Sequence, residues 1–456
     1  MILRRSIKFL VYFTIISLSI TAAAQSHDHN HDHDDHSGHD HSHTTQSSDG
    51  HDHGSHDSHQ DNDHGHHHDE QGHHACGEHH GAGHYDPTAT AMHHISDANV
   101  FTIFDWIRIP LPCIVYSKDA GWDFFMSSVF APGHHDDGHY AHHGYVMHLG
   151  SIKRVVGEGF PKNEHHLAVG GFMTEDIEED GKSKQITKVC FNEEKFLVEP
   201  RSTLDGGIMG GGITSFYDFS ITKNVMTMIL VSLLLFYFLR KAAVGYSKRE
   251  GQAPKGVQSL LEPVIVYIRD EVAVPFIGEH RYQQFMPLLL SIFFFILGLN
   301  LWGQVPFLGG PNVTGNLAVT MVLAIIVFFV TNFNGNKHYW QHIFWMPGVP
   351  TFVKPLLALI EGMSLFIKPL TLMLRLAGNI TAGHIAILSF IGLIFIFGES
   401  GKFFTGGVIG AVLSTVLTIF MMAIELLVAF IQAFVFTLLT ASYIGAATEE
   451  HGHEHH

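Results

Sequence analysis

Leu, Ile, Phe and Val fill long runs in the second half of the chain, and the runs sort by length into membrane spans. Three reach the ~20 residues that a helix needs to cross hydrocarbon, at about 221–239, 285–303 and 317–334. Two later runs, 356–397 and 406–445, are much longer. At 1.5 Å per residue the first would make a helix of roughly 63 Å, about twice the ~30 Å hydrocarbon core. It must tilt steeply, kink near Pro369 or divide into a hairpin, and the second run poses the same problem. The pattern predicts a steeply inclined C-terminal pair. Upstream, 101–104, 107–116 and 185–190 are β-branched or aromatic runs bounded by Gly, Pro, Asp and Asn, which reads as strands. The expected fold is therefore membrane all-α with about five membrane helices, preceded by a small mostly-β domain.

The start of the chain sets the orientation. Arg4, Arg5 and Lys8 precede an apolar stretch at 9–20 that is too short to span, and Ala22 to Ala24 offer an A-x-A cleavage site. This reads as a signal peptide, an uncleaved anchor helix being the alternative; on either reading the next segment is exported. Arg240, Lys241, Lys248, Arg249 and Lys255 form the densest basic cluster after the leader and mark a cytoplasmic side. The first span then runs outside to inside, the second returns to a Pro/Gly loop at 306–315, and the third comes back to Lys337. These signs divide the chain into a signal peptide at 1–24, a disordered His-rich segment at 25–85, and an exported mostly-β domain at 86–215. A membrane domain follows at 216–450, with a short His-rich cytoplasmic tail at 451–456. Gly206, Gly207 and Gly210 to Gly212 look like a flexible joint to the membrane.

Composition narrows the partners. The 456 residues are 46% hydrophobic and 15% charged, with mean hydropathy +0.15 that averages two opposite halves. A formal net charge of −17 argues against nucleic acid. More than half of the 39 His lie between His27 and His84, among Asp, Gly and Ser that cannot build a core. Such a segment binds zinc, copper or nickel weakly and in many geometries. The pairs His134–His135, His142–His143 and His165–His166 lack clear ligand spacing, so no resident metal or other cofactor is expected. Three Cys are too few for a disulfide scaffold; Cys113 with Cys190 is the plausible pair if the segment lies outside the cytoplasm.

The two overlong runs carry polar stripes. On the first, Glu361, Lys368, Thr371, Arg375 and Asn379 follow steps of 7, 3, 4 and 4, which put them on one helical face. On the second, Ser414, Thr418, Glu425 and Gln432 follow steps of 4, 7 and 7. A charge at a helix centre costs roughly 2.5–3.5 kcal/mol to insert, so such residues persist only toward water, a partner charge or a protein interface. Arg375 is far from both helix ends and permanently charged, so it needs an anion. Glu361, Glu425 or an acid from another subunit would serve. His384 and Glu425 are titratable groups at membrane depth, able to relay protons.

At these residues the sequence resembles subunit a of the F-type ATP synthase, over roughly 220–450. The likeness is densest in Glu361 to Ser364 and Lys368 to Asn379, and resumes in Glu425 to Phe436 and at Tyr443. Thr314 to Leu317 resemble the family's start of the preceding helix. The resemblance implies that Arg375 is the essential arginine facing the carboxylate of the rotating c-ring, with Asn379 and Gln432 as polar neighbours. It implies that His384 and Glu425 are the two half-channel positions, in the order opposite to many bacterial members and as in mitochondrial ones. It further implies a non-catalytic proton-channel subunit, the ATP chemistry residing elsewhere, and no P-loop occurs in this chain. The implied partners are the c-ring, peripheral-stalk b subunits, the remaining synthase subunits and membrane lipid. The implied place is a bacterial inner membrane, with a periplasmic N-terminal region and a cytoplasmic C-terminus. Proton and sodium are not separated. The competing reading is a metal-ion transporter or sensor that uses the His-rich segment as a collector. It requires several ligands inside the membrane, whereas His384 is the only His in the inclined pair.

Overall fold

The computed structural model describes residues 96–103, 107–130, 139–179, 182–202, 213–249, 251–305, 311–346, 348–397 and 404–449. The readings of the leader, the His-rich segment and the C-terminal tail fall outside these residues. Twelve described strands precede the helices. They are β1 (Val100–Ile103), β2 (Ile107–Pro110), β3 (Pro112–Ser117), β4 (Gly121–Met126), β5 (Tyr140–Ala141) and β6 (Tyr145–His148). Then follow β7 (Ser151–Val156), β8 (Leu167–Ala168), β9 (Phe172–Glu179), β10 (Lys182–Phe191), β11 (Glu194–Glu199) and β12 (Phe216–Asp218). The main sheet has the antiparallel order β6-β7-β11-β10-β9, and a smaller one has the order β12-β3-β4.

Strand alternation gives this region two cores. On β6, Tyr145 and Met147 pack with Val115, Phe130, Ile152 and Phe216, while Val146 between them packs with Val155, Val189 and Phe196. One strand therefore feeds both sides of the main sheet. Cys113 is buried on β3 and Cys190 on β10, in different sheets, and the two thiols are not joined. The pairing that cysteine counting left open is thus not made: the strand order places the two residues in different sheets.

The glycine-rich segment at 203–212 lies outside the described residues, but the chain after it pairs with β3 through β12. The β region therefore extends a few residues past 215. The hydrogen bonding then continues to the first helix without a break. Phe219 N donates to Ile114 O at 2.8 Å, Ile221 N to Pro112 O at 3.1 Å, and Ile114 N to Ser220 Oγ at 3.0 Å.

The helices are α1 (Lys223–Lys248), α2 (Val257–Tyr267), α3 (Val274–Ile277), α4 (Tyr282–Gly303), α5 (Leu317–Phe333), α6 (Lys337–Phe344), α7 (Lys354–Phe397) and α8 (Phe404–Thr448). Four of them are long and apolar enough to cross a membrane. The bent pair α5–α6, turning by 104°, makes a fifth if its two helices together form one span. The segment from α2 through a π-helical turn at Ile268–Ala273 to α3 was not expected from the sequence. Pro263 and the Arg269, Asp270, Glu271 triplet interrupt its apolar pattern. Helices α7 and α8, of 44 and 45 residues, are continuous. Each would extend about 66 Å, so neither stands upright in a ~30 Å core.

Both ends of this helical body are closed by side chains from distant parts of the sequence. Thr222 at the start of α1 gives no side-chain cap to the helix; instead Asp97 Oδ1 accepts from Asn224 N at 3.2 Å, across 127 positions. Lys223 N donates to Ala98 O at 2.8 Å. Asp97 is 7% exposed, and burial raises its carboxyl above the usual range, against the Thr222 hydroxyl bond and the charges of Arg201 and Lys223. At the C-terminus of α8, Arg281 and Asn336 side chains donate to Thr448 O at 3.1 and 2.9 Å, and Asn336 N donates to Ala447 O at 2.9 Å. These donors fill the orphan carbonyls of the last turn. A side chain at Gly445 would overlap the carbonyl oxygen of Phe276, so the α8 backbone rests directly on α3.

Asp97→Ala is expected to cost about 1–2 kcal/mol at the α1 start, read as faster limited proteolysis between the β region and α1 in detergent. The folded-state pKa of Asp97 is raised, so its contribution is full below the unfolded pKa and is lost as pH rises through the folded one. Asp97→Asn, a neutral acceptor of the same shape, should therefore protect the junction at neutral pH at least as well as the native residue. Equal proteolysis of the Ala and Asn variants would count against the cap.

Candidate functional site

The antiparallel α7–α8 pair fixes the site. Its register brings Lys368 to Tyr443, with Lys368 Nζ 5.5 Å from the ring centroid, and brings His384 to Glu425. Arg375 lies on α7 between these two levels, about 10 Å of helix from one and 14 Å from the other, and within about a turn of Gln432 on α8. The five residues expected to act together are thus strung along one seam, but they do not all face the same way.

His384 Nε2 stands 3.8 Å from Glu425 Oε1, with side chains 18% and 4% exposed. Glu425 Oε1 has no hydrogen-bond partner and is shut away from solvent. Room for this carboxylate comes from Gly383, where an added Cβ would stand 2.9 Å from Glu425 Oε1. A larger residue there would push the carboxylate away from His384.

A polar network surrounds this pair, and its members Asn300, Gln304, Asn312 and Thr381 were not singled out by the sequence pattern. At the end of α4, Gln304 Nε2 donates to Glu425 O at 2.7 Å and Asn300 Nδ2 to Ala429 O at 3.1 Å. Thr314 Oγ1 donates to Asn300 Oδ1 at 2.7 Å, and Asn312 Nδ2 reaches Thr381 Oγ1 at 3.4 Å. Asn316 caps α5 by accepting from Ala318 N at 2.9 Å. The signal available in the sequence was a lone amide, Asn300, between Leu299 and Leu301 in a run otherwise apolar.

The α7 stripe divides. Arg375 and Asn379 are exposed, on a face shared with Ile367, Leu370 and Leu374. Leu426, Leu427 and Ile431 on α8 are exposed as well. Among the described residues no carboxylate lies within ion-pair distance of Arg375. Glu425 is turned to His384, and Glu361 stands 14 residues, about 21 Å of helix, away from Arg375. Neither acid of the chain's own stripes neutralises the guanidinium. Thr371 is spent on Ile367 O in its own helix. On α8, Ser414, Glu425 and Gln432 are buried, and Thr418 Oγ1 is enclosed without a hydrogen-bond partner.

Toward the other end of the pair, Glu361, Ser364 and Lys368 line a cavity of about 380 Å³ with His338, His342 and Glu449. Tyr339 and Lys368 border both this space and a small void that reaches Thr331, Asn332 and Tyr443. Two polar regions, one around His384 and Glu425 and one around Glu361 and Lys368, thus lie on opposite sides of Arg375.

The chain shares its helical part with known proteins. The family described as ATP synthase A chain matches residues 225–445, and a domain of unknown function matches residues 90–179. ATP synthase subunit a 2 of Chlorobaculum tepidum is 39% identical over 255 residues, covering 52% of this chain and 67% of the relative. ATP synthase subunit a of Chloroherpeton thalassium is 39% identical over 248 residues, 53% and 71% of the two chains. The Myxococcus xanthus subunit a is 35% identical over 268 residues, 56% and 84% of the two.

Asn300→Leu removes the acceptor of Thr314 and a donor to α8 together. It should lower stability by about 1–3 kcal/mol, seen as a drop in the thermal midpoint of the detergent-solubilised protein. Asn300→Asp keeps the acceptor for Thr314 and should fall between Leu and wild type. An unchanged midpoint for Asn300→Leu would remove this network from the account.

Proposed function

This chain belongs to the ATP synthase A chain family, and from that membership we propose how its own residues pass protons. The family supplies the frame: a multi-pass membrane protein, the proton-channel stator subunit of an ATP synthase, working against other synthase subunits such as the c-ring. The residue roles that follow are our reading, and the observation that carries them is the uncompensated guanidinium of Arg375 on an exposed apolar face.

That face fits a partner helix carrying a carboxylate, as a c-ring presents. A charged ring site is costly in hydrocarbon and a protonated one is cheap. Protons enter from the side of the β region through water around Gln304 and Asn312 to His384 and Glu425, which hand them to the ring carboxylate. The neutral site then turns into lipid. On its return it meets Arg375, loses its proton to the path lined by Tyr443, Lys368, Glu361 and the 380 Å³ cavity, and is held as the anion. Asn379 and Gln432 flank the guanidinium and keep its level polar. Because Arg375 separates the two polar regions, a proton crosses only by riding the ring. A membrane potential adds about 2.3 kcal/mol per charge per 100 mV to that ride.

On this reading the subunit is non-catalytic and the ATP chemistry belongs to other subunits. Its further partners are the b subunits of the peripheral stalk and membrane lipid. The basic cluster from Arg240 to Lys255 lies in the cytoplasm together with the α8 C-terminus, which Arg281 and Asn336 cap. The β region and the His-rich segment lie in the periplasm of a bacterial inner membrane, where the latter binds zinc, copper or nickel weakly. The division at 24, 85 and 450 stands as the proposed domain plan, with the border at 215 moved past β12 to the start of α1.

Arg375→Ala should abolish ATP-driven proton pumping while the complex still assembles, measured by acridine-dye quenching in inverted vesicles. Wild-type-like pumping would overturn the reading.

His384→Leu and Glu425→Leu should each slow proton flux. The exchange of His384→Glu with Glu425→His should recover more flux than two independent losses allow, since groups in contact are coupled. Strictly additive losses at matched subunit levels would mean that the pair does not share one half-channel.

A further inference from the structure

Far from the membrane seam, the β region brings together two His-His pairs that sequence spacing gave no reason to join. The hairpin from β5 to β6 closes through His142 N to Tyr145 O at 2.9 Å and Tyr145 N to His142 O at 2.8 Å. Its two central residues, His143 and Gly144, have φ of 49° and 77°. That is the geometry of a tight two-residue hairpin turn, and a non-glycine residue in this conformation is uncommon. β5 pairs with β8 in the register Tyr140↔Ala168 and Ala141↔Leu167. The next positions in that register are His142 opposite His166 and His143 opposite His165. The chain carrying His165 is tied down by His143 N donating to Glu164 O at 3.2 Å.

One ring nitrogen from each of His142, His143 and His165 lies within 4.8 Å of the other two. His143 Nε2 and His165 Nε2 face each other at 3.3 Å. A tetrahedral zinc with Zn–N of 2.0–2.1 Å holds its ligand atoms about 3.3–3.4 Å apart. The other nitrogen of His143, Nδ1, meets Asp123 Oδ2 at 2.5 Å, and Asp123 is itself held by Phe124 N at 2.9 Å. A carboxylate on Nδ1 fixes the tautomer that presents a lone pair at Nε2, as behind metal-ligating histidines generally. His142 is 7% exposed, and its Nδ1 is buried without a hydrogen-bond partner. A buried polar ring nitrogen of this kind costs stability unless a proton acceptor, a donor or a metal satisfies it.

We propose that His142, His143 and His165 form a site for a divalent transition metal of the zinc and copper class. Asp123 orients His143, and the fourth position is left for water or an incoming donor. Imidazole-only ligation suits these ions over magnesium or calcium, which take oxygen. The site is independent of proton passage and has a built geometry.

The test uses the full chain in its solubilised complex, stripped with EDTA and returned to buffered free zinc. Histidine carbethoxylation is then mapped by peptide mass spectrometry, which separates these residues from the His-rich segment. His143 and His165 should become protected together, at lower zinc than the upstream histidines require. Asp123→Asn should raise the zinc needed for half-protection by about 10–100-fold. The exposed His165→Ala should abolish protection of His143, and His166→Ala should leave it in place. A plain hydrogen bond between the two Nε2 atoms would show no zinc dependence. That result, or an Asp123→Asn variant indistinguishable from wild type, overturns the proposal.

Discussion

A permanently charged guanidinium cannot rest in hydrocarbon without an anion, and Arg375 has none within its own described residues. Much of the membrane body is arranged around that deficit. Glu425, the buried acid nearest in character, is withheld by His384 and by the pocket that Gly383 leaves for it. Glu361 is out of reach on the other side, where it lines the cavity. The surrounding side chains are large, apolar and exposed, which is the surface of a helix pair built to be covered. The length of α7 and α8 belongs to the same constraint: only overlong helices can hold three distinct levels, two polar and one cationic, along a single seam.

The rest of the helical body serves to hold that seam still. Asn300 and Gln304 bind α4 to the backbone of α8, and Gly445 lets α8 lie against α3. Side-chain amides are suited to this work inside a bilayer because they satisfy backbone carbonyls without carrying charge. The cap from Arg281 and Asn336 keeps the α8 C-terminus from fraying, so the register that pairs Lys368 with Tyr443 also pairs His384 with Glu425.

The sequence made some of this legible and hid the rest for physical reasons. Arg375, His384 and Glu425 stood out because charge in an apolar helix is expensive and therefore rare, and helical periodicity is strong enough to order the residues along a face. Which side of the face each residue takes was not legible: Arg375 and Glu425 point apart because α8 covers only part of α7. Asn300 was hidden because a neutral amide disturbs hydropathy little. The α2–α3 segment was hidden because a π-turn with three charged residues breaks the apolar rhythm. The cluster of His142, His143 and His165 was out of reach altogether, since it exists only through the register of two short strands. The separation of Cys113 from Cys190 likewise follows from sheet order, which cysteine counting does not sense.

The unbroken hydrogen bonding from β3 to the start of α1 has a mechanical meaning. A flexible tether would let the β region swivel and average its orientation away. Here the strand partners of Pro112 and Ile114 run up to Ile221, and Asp97 clamps the first turn of the helix. The direction in which α1 leaves the β region is therefore set by hydrogen bonds to the β3 strand and by the Asp97 clamp, and a bend at this joint must break them.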